Sequence, residues 1–125
     1  MPKESQIQQN TIQYLSLMAN IHNFIFFAPM NEGFMMIMTM FKVPKKTRMI
    51  IFNWLRKMGL LPGVADLQII KDGKSYFIEL KTDTGELSNS QVLFRDACNR
   101  THTPYVVCRS VDDVRGQLVK WGVIK

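Results

Sequence analysis

Apolar residues recur at helical spacing from Glu4 to about Asn20. Ile7, Thr11, Tyr14 and Met18 form one stripe with Leu15 beside them, and Gln6, Gln8, Gln9 and Gln13 mostly fill the opposite side. Pro2 precedes this predicted helix, and Glu4 falls in its first turn, where an anion complements the helix dipole. The pattern then changes. Phe24-Ile25-Phe26-Phe27-Ala28 is a short aromatic, β-branched run that predicts a strand, closed by Pro29 and the turn signal Asn31-Glu32-Gly33. From Phe34 to Phe41 only Thr39 is polar, and Met35, Met36, Met38 and Met40 crowd the run. Two expectations stand for it: a buried segment, or a contact surface for a second subunit, since methionine adapts to irregular surfaces.

A second helix is predicted from Thr47 to Met58. Met49 or Ile50, then Trp54 and Leu55, then Met58 make its apolar stripe, and Gly59 is a natural stop. After the connection Leu60-Leu61-Pro62-Gly63, Asp66 to Lys71 and Lys74 to Thr82 predict a hairpin around the turn dipeptide Asp72-Gly73. Ser88 can cap a helix running to about Arg100. Gln91 stands at the capping-box position, and Leu93, Phe94, Ala97 and Cys98 supply the apolar side. Tyr105-Val106-Val107-Cys108 predicts a compact strand, and Val111, Val114 and Leu118 mark a last helix from about Asp112 to Lys120.

The order helix, strand, helix, strand, strand, helix, strand, helix predicts an α/β fold. The first three strands can pair as an antiparallel meander. The strand at Tyr105 follows a helical crossover and should run parallel to its neighbour. The expected architecture is a mixed four-stranded sheet flanked by helices, with residues 1–125 as a single domain.

Composition narrows the function classes. Cys98 and Cys108 form no C-x-x-C or C-x-x-H group, which argues against a structural zinc site, and two cysteines make no disulfide framework. A reduced, cytoplasmic setting is the simplest expectation. The polar stretch Met1 to Asn10 predicts no secretory leader, and Phe34 to Phe41 is too short to span a bilayer as a helix. A net charge of +6 points to a polyanion, most often nucleic acid, or an acidic membrane surface, with a generic basic protein as the alternative. Lys42, Lys45, Lys46, Arg48, Arg56 and Lys57 cluster ahead of the hairpin and are the candidate phosphate contacts; the other reading is a solvated loop.

The hairpin carries the candidate chemistry. Glu79 and Lys81 are two residues apart on one strand, so they project to the same side, while Ile78 and Leu80 point to the core. Asp66 opens the preceding strand and lies near the same open end. Two convergent carboxylates repel unless a hard cation neutralises them, and Mg²⁺ takes one or two carboxylates together with waters and substrate phosphate. Lys81 could orient an attacking water or stabilise charge on a phosphate. On spacing alone a second reading stays open: solvated charges, or a weak salt bridge.

The elements Gly63-Val64-Ala65-Asp66, Glu79-Leu80-Lys81 and Leu87-Ser88-Asn89-Ser90-Gln91, in that order and spacing, resemble the virus-type replication-repair nuclease (VRR-NUC) family of the PD-(D/E)xK superfamily. The resemblance runs from Glu4 to about Val114, and Asn31-Glu32-Gly33 also fits it; the methionine-rich run does not. It implies a restriction-endonuclease-like core. It implies Asp66 and Glu79 as metal ligands with the Leu80 backbone carbonyl, Lys81 as the catalytic lysine, and Gln91 as the family glutamine behind the site. The family's first-helix acid corresponds best to Glu4, with Glu32 as the competing position. For Gln91 the capping box is the alternative, and the two roles are compatible.

The resemblance further implies an Mg²⁺- or Mn²⁺-dependent endonuclease, homodimeric, acting on branched DNA such as Holliday junctions, in a bacterial or phage-infected cell, with no membrane partner. Two alternatives remain: a flap, nicking or nonspecific duplex nuclease, and a nucleic-acid-binding module without catalysis. Arg95, Arg100, Arg109 and Arg115 are further candidates for phosphate contact. Asp83, Glu86, Asp96, His22 and His102 are expected to be structural or surface residues.

Overall fold

The computed structural model describes residues 3–31 and 33–125; Pro2, Glu32 and the Phe34 side chain, all named above, lie outside the described residues. The elements are α1 (Glu4–His22), β1 (Ile25–Phe27), α2 (Gly33–Met40), α3 (Lys45–Lys57), β2 (Leu67–Lys71), β3 (Lys74–Leu80), α4 (Asn89–Arg100), β4 (Tyr105–Cys108) and α5 (Val111–Trp121). The strands form one sheet in the order β1-β2-β3-β4. The first two pairings are antiparallel and β3–β4 is parallel. The chain is therefore α/β, with the expected mixed four-stranded sheet flanked by helices.

Strand parity divides the residues between two cores. Leu67, Ile69, Ile78 and Leu80 face α1 and α5, where they pack with Ile7, Leu15, Val114 and Leu118. Phe77, with Ala65 and Tyr105, faces α4 and packs on Phe94 and Cys98. Phe94 meets Phe77 edge-on at 5.0 Å. Leu67 pairs with Ile78, so Asp66, one residue before β2, falls beside Glu79 on the α4 face.

Two expectations need correction between β1 and β2. The methionine-rich run is a helix, and of its described side chains only Met38 is buried; Met36, Ile37, Met40 and Phe41 are exposed. The stripe assigned to the second helix does not enter a core either. No residue of α3 is buried, and Met49, Ile50, Trp54 and Met58 lie in the open. The physical reason is the path of the chain. α2 and α3 pack on each other, tied by Arg48 Nη1 donating to Thr39 Oγ1 at 2.9 Å. Helical periodicity creates an apolar side, but among the described residues no further layer covers it.

Candidate metal centre

The cleft begins with the loop before β2. Gly63 has φ +81°, and a Cβ placed there would lie 2.1 Å from the Ser90 carbonyl oxygen at the start of α4. Only glycine fits that approach without strain. It seats the loop against α4 and delivers Asp66 to the end of β3. There the Leu80 amide donates to Asp66 Oδ2 at 2.8 Å, and Asn31 Nδ2 donates to Oδ1 at 3.2 Å. Beside it Glu79 is 1% exposed. Glu4 enters from the first turn of α1. One carboxylate oxygen each from Glu4, Asp66 and Glu79 lies within 4.8 Å of the others.

Lys81 Nζ stands 3.7 Å from Glu79 Oε2. Gln91 makes both contacts that the sequence allowed it. Its Oε1 accepts from the Ser88 amide at 2.9 Å, completing the capping box of α4. That bond fixes the amide's orientation and leaves Nε2 to donate to Glu79 Oε2 at 3.4 Å. Both donors thus meet one oxygen of Glu79. The other, Oε1, is buried with no hydrogen-bond partner among the described residues.

Burial, then the neighbouring Asp66 charge and a hydrogen bond shared between the two carboxyl groups, push the Glu79 carboxyl up to about 9; the Lys81 ammonium pulls the other way and does not prevail. The 3.7 Å contact is therefore an ion pair only once Glu79 gives up its proton. Glu4 is also raised, by burial first, with Lys81 opposing and Asp66 adding to the effect. Crowded acids whose carboxyl groups are pushed toward their neutral forms, with a buried oxygen that meets no N–H donor among the described residues, fit a hard cation, which would restore charge to the carboxylates. Glu4 and Asp66 line an open cleft of about 680 Å³ with Asn31, Gly63 and Gln91.

The sequence-predicted residues divide accordingly. Glu4, Asp66, Glu79, Lys81 and Gln91 come together. Leu80 contributes its amide to Asp66, and the neighbouring Lys81 amide bonds the Cys108 carbonyl at 3.0 Å, which anchors the strand end. None of Lys42, Lys45, Lys46, Arg48, Arg56 and Lys57 is among the residues lining this cleft. Lys45 and Lys46 open α3, and Arg56 and Lys57 close it. Arg48 is half-buried and committed to Thr39.

Two residues have roles that sequence reasoning missed. Asn31 was visible only within a turn signal that also fits the family resemblance; its contact with Asp66 joins positions 35 apart, which no local signal reports. Arg109, a phosphate candidate by charge, instead directs Nη1 at the carbonyls of Thr82, Asp83 and Gly85 at 2.6, 3.3 and 2.8 Å. It clamps the loop between Lys81 and the α4 cap. No protein-family model, curated protein or solved structure matches the chain.

Proposed function

We propose that this protein is a metal-dependent DNA endonuclease with a PD-(D/E)xK-type core, a single VRR-NUC-like domain. One observation carries the reading: the buried Oε1 of Glu79, which no lysine, amide or backbone donor among the described residues reaches, sits within a trio of carboxylates, two of which line an open cleft, next to a lysine. Solvated surface acids have no orphaned buried oxygen, so the salt-bridge alternative does not account for it.

Glu4, Asp66, Glu79 and the Leu80 carbonyl would hold Mg²⁺ or Mn²⁺. When bound, such a cation supplies positive charge at the phosphoryl oxygens and lowers the pKa of an attacking water. Asp66 is held ready by its two hydrogen bonds, one to each oxygen. Gln91, which lines the cleft, holds Glu79 Oε2 through its Nε2. Lys81, beside Glu79 at 3.7 Å, would present its ammonium to orient the water and to stabilise the charge that develops on the phosphate.

The cationic segment supports DNA as the substrate. The first turn of α3 has Lys45 and Lys46 and no acid, so the helix dipole and the side chains attract the same anion. The exposed apolar sides of α2 and α3 favour a twofold dimer, which would set two cleavage sites at a fixed spacing suited to branched DNA.

Cleavage of a synthetic four-way junction in Mg²⁺ or Mn²⁺ tests the reading. Asp66→Ala and Lys81→Ala should each lower the rate by roughly 10²-fold or more. Undiminished cleavage by these variants overturns the site. Cleavage of flaps or plain duplex in place of the junction changes the substrate, and DNA binding without cleavage by the native protein leaves a binding module.

A further inference from the structure

We infer that Asn31 is a positioning residue of the cleft, one amide serving both the start of α2 and the orientation of Asp66. The inference rests on the metal-centre reading above. Asn31 Oδ1 accepts from the Gly33 amide at 2.9 Å, and Nδ2 donates to Asp66 Oδ1 at 3.2 Å. The assignment of the two ends follows from chemistry. A backbone N–H can only donate, so the end facing Gly33 is the oxygen, and the NH₂ is left for the carboxylate.

Asp66 is thereby gripped at both oxygens. The Leu80 amide holds Oδ2 from β3, and Asn31 holds Oδ1 from the segment before α2. Two donors on separate elements define the plane of the carboxylate, the property that partners of ligating groups supply in metal sites. Gly33 belongs to the arrangement, since a Cβ there would stand 3.0 Å from Asn31 Oδ1 and crowd it. Asn31 and Gly33 line the same cleft as Asp66. The seating of α2 and the aim of Asp66 are therefore one mechanical unit, and a displacement of α2 takes a donor away from Asp66.

Serine separates the two roles. Its hydroxyl can still accept from the amide two residues on, but it is too short to reach Asp66. Metal-free full-length protein is titrated with Mn²⁺ by calorimetry, and hydrogen exchange reads the amides of α2. Asn31→Ser should keep α2 protected while its Mn²⁺ dissociation constant rises roughly 10- to 100-fold. Asn31→Ala should lose both. Gly33→Ala, which keeps the Asn31 amide but crowds its Oδ1, should weaken Mn²⁺ in the same direction. Wild-type affinity in Asn31→Ser overturns the inference while leaving the metal centre intact. Loss of α2 protection in that variant also overturns it, because the helix rather than the amide would then carry the effect. If the native protein takes up no Mn²⁺, the metal centre itself fails and the role of Asn31 falls with it.

Discussion

Glu79 concentrates the physics of the cleft in one side chain. In the unfolded chain its carboxyl ionises near 4.5; folded and metal-free, it keeps its proton up to about 9, through burial first and Asp66 second. The sign of the linkage follows. Below the unfolded value both states are protonated and this group leaves stability untouched. Between the two values the unfolded state has released a proton that the folded state retains, so stability falls as pH rises toward 9. Glu79→Gln removes the titration while keeping the shape. In the presence of a chelator, urea midpoints at pH 5, 7 and 9 should decline more steeply for the native protein than for Glu79→Gln. Equal slopes would show that Glu79 is ionised in the folded state. Strand parity made the direction of this side chain readable in advance. Its protonation was not readable, because that depends on how completely the helix layer excludes water from it.

At the scale of elements, the cleft is held by what joins the loops to the helices. α4 is fixed by its capping box and from its preceding loop by Arg109, whose Nη1 meets the carbonyls of Thr82 and Gly85. The loop before β2 meets α4 at Gly63, so a methyl group there must push the Ser90 backbone aside and also adopt a left-handed φ. Gly63→Ala should therefore destabilise by about 2–5 kcal/mol, read from denaturant midpoints. It should also weaken Mn²⁺ uptake, since Asp66 follows three residues later. An unchanged midpoint would mean that the loop relaxes freely. Helices α1, α4 and α5 and all four strands were readable from periodicity and turn chemistry. The helices α2 and α3 were readable as apolar segments, but not as surfaces, because periodicity reports a side and never names what covers it.

For the whole molecule, charge and apolar exposure coincide in one segment. Residues 33–65 carry Lys42, Lys45, Lys46, Arg48, Arg56 and Lys57 and no acid, which matches the entire net charge of +6; the rest of the chain is balanced. The same segment exposes Met36, Met40, Phe41, Met49, Ile50, Trp54 and Met58. A cluster of this kind is unusual on a monomer's surface and supports the proposed dimer contact. Sedimentation across a concentration series should give a dimer for the native protein and a monomer for Trp54→Glu, with thermal stability at low concentration little changed, since Trp54 is 58% exposed. A native protein that stays monomeric at every concentration would remove the dimer and leave the exposed face to nucleic acid. Among the described residues no helix is long and apolar enough to cross a membrane.

Much of this protein was already decided by local rules acting on neighbouring residues. Alternation along β3 sent Glu79 and Lys81 to one side, the Asp72-Gly73 turn set the register that brings Asp66 alongside, and Ser88 with Gln91 set the start of α4. These follow from backbone stereochemistry, which every short stretch carries within itself. The arrival of Glu4 from α1, the grip of Asn31 on Asp66, the dehydration of Glu79 and the uncovered sides of α2 and α3 belong to the packed molecule alone. Each depends on which distant segments come together and which water they displace, and that is a property of the three-dimensional path of the chain.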